Sequence, residues 1–213
     1  MKKTILISLI FSTAIILNYS CNKDDDNDKN DDKKVLEDTT FTDSRDGQVY
    51  KIVKIGNQTW MAENLKYNIS LSYCYYDIPD SCEIFGRLYK WQNASGACPA
   101  GWHLPSNSEW DTLAFFLGGY GVAGGKMKAV GTTYWKSPNT GATNSSGFNA
   151  MGAGIKRCSS GLYDLYGEYG YWWSSTECSY NESYAVRAYF DRTTLGLHYY
   201  SKSAGYSIRC IKD

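Results

Sequence analysis

Polar and apolar positions divide the chain into three stretches. Ile5 to Leu17 is an apolar run interrupted only by Ser and Thr, and it follows the basic Met1-Lys2-Lys3. It is shorter than the roughly 20 residues a bilayer span needs, and it has the length of a secretory h-region. Asn22 to Lys34 reads NKDDDNDKNDDKK, with no apolar residue. Such a stretch has nothing to bury and its acids repel, so it predicts a solvated spacer. From Phe41 onward apolar residues recur with short periods, and the folded domain is expected to span 41–213, after a signal segment (1–20) and a tether (21–40).

Inside 41–213 the periods change from element to element. Val49–Ile55 and Gln58–Met61 read as strands around a Gly56-Asn57 turn, a β-hairpin. Residues 62–100 show no clear period and are rich in Tyr. Ser106-Asn107-Ser108-Glu109 fits a capping box. Trp110, Leu113, Ala114 and Leu117 then make one helical face, and Gly118-Gly119 stops it. A shorter helix is expected across Lys126–Val130, and loop chemistry fills 137–147. Strands are expected over Tyr171–Thr176, Tyr184–Phe190, Leu195–Tyr200 and Tyr206–Ile211, the last with Tyr206, Ile208 and Cys210 on one face. The sum is an α+β fold: twisted antiparallel sheet, one or two helices, and long loops.

Composition sharpens the picture. The net charge is zero overall, but 21–40 carries eight acids against four Lys, and 41–213 carries sixteen bases against fourteen acids. A domain so nearly balanced does not point to nucleic acid. Two His leave little for a multi-His metal site. Cys21 follows the h-region after a small residue, Ser20, and this resembles a bacterial lipoprotein processing site, with Asn18 where an aliphatic residue is usual. Cys21 would then carry lipid and anchor the chain to a membrane. Six Cys remain, enough for three disulfides in an exported protein, with fifteen possible pairings. The acidic run after Cys21 resembles the signal that sends Bacteroidota lipoproteins to the outer face of the outer membrane, so an outer-membrane, surface-exposed lipoprotein is expected.

Six segments are more specific than periodicity: QTWMAENL (58–65), FGRLYKW (85–91), CPAGWHLPSNSEWDTL (98–113), SGFNA (146–150), YWWSSTE (171–177) and GYSIRCIKD (205–213). In this order they resemble the Fibrobacter succinogenes major paralogous (FISUMP) domain, a family of exported bacterial lipoproteins. The resemblance implies a C-type lectin-like fold. It also suggests a Cys98–Cys210 disulfide tying the segment before the helix to the final strand, with Cys74–Cys82 closing a local loop and Cys158–Cys178 stapling a third.

The candidate chemistry points to binding rather than catalysis. C-type lectins that bind Ca²⁺ use Glu-Pro-Asn or Gln-Pro-Asp and a later Trp-Asn-Asp, and neither is present. The paired Cys near the C-terminus of formylglycine-generating enzymes, which share the fold, is reduced to Cys210, and no Gly-x-Ser-x-Gly occurs. His103, just before the helix, reads as a buried or capping residue that orders the turn. No cofactor, metal or catalytic residue is expected. Tyr163, Tyr166, Tyr169 and Tyr171 lie among glycines, and Tyr184, Arg187, Tyr189, Arg192, His198, Tyr199 and Tyr200 form a second group. Tyr can stack on a sugar ring or an apolar peptide face while its hydroxyl hydrogen-bonds. These residues predict a loop-rich binding face for a glycan or an extracellular protein. The alternative is a structural subunit of an envelope or pilus-like assembly, and Trp172 and Trp173 are expected in the core.

Overall fold

A computed structural model describes residues 39–213; the signal segment, Cys21 and nearly all of the tether lie outside them. In chain order the elements are β1 (Thr39–Thr42), β2 (Val49–Ile55), β3 (Gln58–Met61), β4 (Ser72–Tyr73), α1 (Pro79–Phe85), β5 (Leu88–Lys90), α2 (Trp91–Ala94), β6 (Trp102–His103) and α3 (Asn107–Phe116). There follow α4 (Tyr120–Met127), β7 (Ile155–Lys156), β8 (Tyr163–Asp164), β9 (Tyr169–Glu177), β10 (Glu182–Tyr189), β11 (Leu195–Ser201), β12 (Gly205–Tyr206) and β13 (Ile211–Lys212). The fold is α+β. No helix among the described residues is long and apolar enough to cross a membrane.

The strands form three antiparallel sheets, ordered β1-β2-β3-β13-β6, β11-β10-β9 and β4-β5-β12-β7-β8. Strand β13 lies between β3 and β6, so the end of the chain is built into the sheet that begins it. The hairpin forms where expected, with Gly56 at φ +60° in its turn. Thr39 and Thr40, ahead of the expected domain boundary at 41, already pair with Ile52 and Lys51.

The capping box of α3 is complete. The Ser106 hydroxyl accepts from the Glu109 amide at 3.4 Å, and Glu109 Oε2 accepts from the Ser106 amide at 2.7 Å. Trp110, Leu113, Ala114 and Leu117 are buried along one face. The next helix departs from expectation: α4 runs over Tyr120–Met127, earlier than Lys126–Val130. Its glycines hid it. A Cβ on Gly124 would meet the Thr194 carbonyl oxygen at 2.5 Å, so the residue that weakens helix propensity is the one that lets β11's leading segment approach. The last expected strand also divides. Residues 207–210 leave the ladder between β12 and β13, while Tyr206, Ile208 and Cys210 still enter one core.

The sheet β11-β10-β9 separates two apolar cores. One face sends Trp172, Val186, Ala188 and Leu195 to Trp60, Trp110, Leu113, Met127 and Phe148. The other sends Tyr171, Trp173 and Ala185 to Tyr89, Leu104, Tyr206 and Ile208. Successive strand residues point to opposite faces, so Tyr171-Trp172-Trp173 can all be buried only because both faces are covered.

Between the cores lies a fully buried cation. The Arg209 guanidinium donates to Asn64 Oδ1 at 3.1 and 2.7 Å, to the Met61 carbonyl at 3.2 Å and to the Phe148 carbonyl. It lies 4.2 Å over the Phe148 ring. Burial lowers its pKa to about 9. Lys128 is held similarly, its ammonium donating to the carbonyls of Thr140, Tyr189 and Arg192 at 2.9, 2.8 and 3.0 Å. Burial lowers its pKa to about 8. Both cations lock loops together from inside, because their donors replace water at carbonyls that no ladder satisfies.

Candidate functional site

The eleven candidate binding residues, expected as one loop-rich group with a second beside it, fall into three groups. The first surrounds β8. The Tyr163 hydroxyl donates to Asp77 Oδ1, and its ring lies 3.9 Å from the Lys156 ammonium, which also sits 4.6 Å over Tyr73. Tyr75 touches Tyr76, Tyr163 and Tyr166 at 4.7, 5.3 and 5.6 Å between ring centroids. Burial raises the Tyr75 phenol to about 12. Tyr76 is 63% exposed and, with Asp77, adopts φ +56°. Such backbone is unfavourable for residues other than glycine. Here it lies inside the loop closed by the Cys74–Cys82 disulfide.

The second group is the largest and occupies the face of the central sheet that carries Tyr171. Here Arg187 is flanked by three rings: its guanidinium lies 4.6 Å from Tyr189, 5.6 Å from Tyr169 and 5.8 Å from Tyr171. One Nη donates to the Tyr189 hydroxyl at 2.5 Å. The register pairs Arg187 with Gly196 on β11. A Cβ on Gly196 would meet His198 Nε2 at 2.9 Å and the Tyr189 hydroxyl at 3.0 Å, so glycine leaves the floor on which these groups converge. Next to them Tyr171 stacks on Tyr206 at 4.7 Å, and Tyr200 stands edge-on to both at 5.5 Å. These three rings, with Arg157 and Cys158, line a cleft of about 290 Å³. Arg192 closes the end of the group, bonded to Asp191 and 4.7 Å over Tyr189.

The electrostatics of this second group follow from burial among phenols. Burial raises the pKa of Tyr171 and of Tyr200, so both stay neutral. Burial works against the charge of Arg187, but the surrounding Tyr171, Tyr200 and Tyr189 side chains raise its pKa and hold it protonated. His198 is held below its usual pKa by burial and then by the Arg187 charge. Two buried polar atoms here have no hydrogen-bond partner, Arg187 Nε and the Tyr200 hydroxyl.

The third group, Tyr184 and Tyr199, departs from expectation. These residues face each other across β10 and β11, with ring centroids 6.3 Å apart. By strand alternation they point to the side of Val186 and Leu197, opposite Arg187 and Tyr200. The sheet separates them from the second group. Tyr171 was expected at a loop surface but is only 5% exposed on β9.

Two disulfides form as expected, Cys98–Cys210 and Cys74–Cys82. The third does not: Cys158 and Cys178 are free and exposed. Cys158 lines the cleft with Tyr171 and Tyr200. Cys178 lies in the connection between β9 and β10, where its amide donates to the Glu182 carbonyl at 3.1 Å. A disulfide needs Cα atoms within about 7 Å; Cys158 sits at the cleft and Cys178 in the β9–β10 connection, and the two are not bonded.

Of the two expectations for His103, the capping role is the one the structure shows, not burial. His103 is half-exposed and held between two carboxylates, Asp213 Oδ1 at 2.6 Å from Nδ1 and Glu109 Oε1 at 2.7 Å from Nε2. It therefore braces the α3 cap against the end of the chain.

Sequence reasoning missed Tyr73, Tyr75, Tyr76, Asp77, Lys156, Gly196 and Tyr206 as members of these groups. The run Tyr75-Tyr76-Asp77 inside a Cys-bounded segment was the available signal for the first group. Nothing local marks Gly196, whose role comes from the cross-strand register.

Neither the curated proteins nor the solved structures contain a significant match to the chain. The model of the Fibrobacter succinogenes major domain matches residues 53–212. All six quoted motifs lie in or overlap that span, and the chain belongs to this family.

Proposed function

We propose that this chain is an exported, lipid-anchored protein of the outer membrane, exposed on the cell surface, whose folded domain binds its target without converting it. The target is a glycan or a protein outside the cell. One observation carries the reading: Tyr169, Tyr171 and Tyr189 gather around Arg187, and Tyr171 also lines, with Tyr200 and Tyr206, a cleft of about 290 Å³. That volume is at the low end of the range of roughly 300–1,000 Å³ for small-molecule sites. Aromatic walls with a few polar groups are suited to a sugar ring or an apolar side chain. Two disulfides fit an oxidising compartment outside the cytoplasm.

A glycan array and polysaccharide pull-down with the purified full chain, with and without a Ca²⁺ chelator, test this reading. Binding that survives chelation and falls in Tyr171→Ala or Tyr200→Ala supports it. Absence of any glycan ligand directs the search to a protein partner. Protease shaving of whole cells tests the surface location: a domain degraded only after lysis would refute it.

A second reading, a subunit of an envelope assembly, is supported by a different surface. Phe115 and Phe116 at the end of α3 are 69% and 61% exposed, with Phe115 edge-on to Tyr120 of α4 at 6.3 Å. Cross-linking on intact cells separates the two readings, because an assembly subunit gives a discrete higher-mass product that Phe115→Ser/Phe116→Ser abolishes.

A further inference from the structure

We propose that the Arg187 cluster binds the anionic group of an acidic glycan, a carboxylate or a sulfate ester, while a sugar ring packs on the neighbouring tyrosines. The proposal rests on the reading of the domain as a glycan binder and specifies the ligand's chemistry.

The argument begins with how each arginine is used. Arg45, Arg157 and Arg192 each hold a carboxylate. Arg87 bonds to the hydroxyl and carbonyl of Ser72. Arg209 is enclosed by carbonyls and Asn64. Arg187 has no carboxylate within salt-bridge distance among the described residues. Its one side-chain acceptor is the Tyr189 hydroxyl, and its Nε has none. The rings of Tyr169, Tyr171 and Tyr189 attract a cation through their faces, but neutral phenols leave its charge uncompensated. A half-buried guanidinium of this kind matches the fork geometry of a carboxylate or sulfate.

A second donor converges on the same place. His198 Nε2 lies over Gly196, beside the Tyr189 hydroxyl and opposite Arg187. An anion between the two would favour the imidazolium. The groups around His198 are Arg187 and Tyr189 of β10, Tyr200 of β11, and Asp111 of α3 and Tyr120 of α4 across a neighbouring cavity. Asp111 is engaged by the Tyr120 hydroxyl at 2.5 Å. The cleft walled by Tyr171, Tyr200 and Tyr206 supplies the stacking surface, and the unpartnered Tyr200 hydroxyl supplies a polar contact for a ring substituent. Flat aromatic walls beside the cation favour an acidic sugar over an acidic peptide.

The test uses the purified full chain with polygalacturonate, dextran sulfate, neutral dextran and poly-glutamate as probes. The expected result is binding to polygalacturonate, dextran sulfate or both, which identifies the anion as carboxylate or sulfate. Arg187→Gln should weaken it by about tenfold or more, and Arg187→Lys, which keeps the charge without the fork, should restore it only partly. Circular dichroism and thermal melts establish that both variants fold, and His198→Ala, at an exposed position, provides an independent variant with a smaller loss. Saturating polygalacturonate or dextran sulfate should raise the His198 pKa followed by NMR. Retention of anionic-glycan binding in Arg187→Gln overturns the proposal, as does equal competition by poly-glutamate. Binding of neutral glycans alone overturns the acidic-group assignment and leaves the glycan-binding reading standing. Failure to bind any glycan, in the array or here, overturns both.

Discussion

Arg209 and Asn64, 145 residues apart, meet through two hydrogen bonds of 3.1 and 2.7 Å to one amide oxygen. The same oxygen accepts from Trp172 Nε1 at 2.8 Å, and the Asn64 amide donates to the Phe85 carbonyl at 2.8 Å. Phe148 completes the cage under the guanidinium. Asn64, Phe85, Phe148, Trp172 and Arg209 come from five of the six motifs that carry the family resemblance. Much of that signature therefore describes a buried joint of the fold. Most of the Arg187 cluster lies outside the motifs, which is why membership in the family does not name a ligand.

Asn64→Ala tests the joint. It leaves the Arg209 guanidinium and Trp172 Nε1 buried without their acceptor. Breaking such a buried network costs about 3–5 kcal/mol. Denaturant unfolding should show a loss of that size, and a loss under about 1 kcal/mol would mean the joint is not a major support.

Lys128→Met removes the donor to the carbonyls of Thr140, Tyr189 and Arg192. The stem packs as before, but three carbonyls lose their partner, at a cost of about 1–3 kcal/mol or more. Hydrogen exchange should quicken first in residues 137–143 and 189–194. Uniform protection across those segments would contradict the bracing role.

The two disulfides should contribute unequally. Cys98–Cys210 spans 112 residues and Cys74–Cys82 spans 8. In the chain-entropy model these loops correspond to about 5 and about 2.5 kcal/mol. Paired Cys→Ala variants, compared by equilibrium unfolding, should therefore differ by about 2 kcal/mol. Equal losses would show that native-state effects dominate.

Stability should depend on pH through His103 and Glu109. Burial opposes the His103 charge, but hydrogen bonds to Asp213 and Glu109 outweigh it, so the folded pKa is raised above its usual 6.5. This stabilisation is complete below pH 6.5 and is lost as pH rises through the higher folded value. Burial likewise opposes ionisation of Glu109, but the Ser106 amide, His103 and the Ser106 hydroxyl lower its pKa below the usual 4.5. That contribution is present above pH 4.5 and is lost as pH falls through the lowered value. The contact is therefore strongest between about pH 4.5 and 6.5. With His103 41% exposed, solvent screening keeps it under about 1 kcal/mol. His103→Gln should flatten the fall in unfolding midpoint between pH 6 and pH 8 (a window of about two units around the usual His value). An unchanged slope would exclude His103 as its source.

Cys158 and Cys178 should each react with a maleimide in the native state, giving two labels within residues 39–213. The reactions should be independent, since one thiol lies at the cleft and the other in the β9–β10 connection. A Cys158–Cys178 peptide in non-reducing mapping would refute that placement.

What the sequence determined was decided by neighbours along the chain. The Gly56-Asn57 hairpin, the Ser106–Glu109 cap and the buried stripe of α3 rest on turn geometry, local hydrogen bonds and helical period, all readable within about ten residues. Strand alternation likewise marked Tyr206, Ile208 and Cys210 as sharing one core. Tertiary structure decided what depends on distant partners. Helix α4 was hidden because Gly124 and Gly125 serve a close approach to residues 193–194, which local propensity does not register. The eleven candidate residues separated because strand register puts Arg187 and Tyr200 on one face and Tyr184 and Tyr199 on the other. Asn64 reads as an ordinary polar residue until folding brings Arg209 to it, because a buried charge is satisfied by whichever acceptors the packed chain delivers.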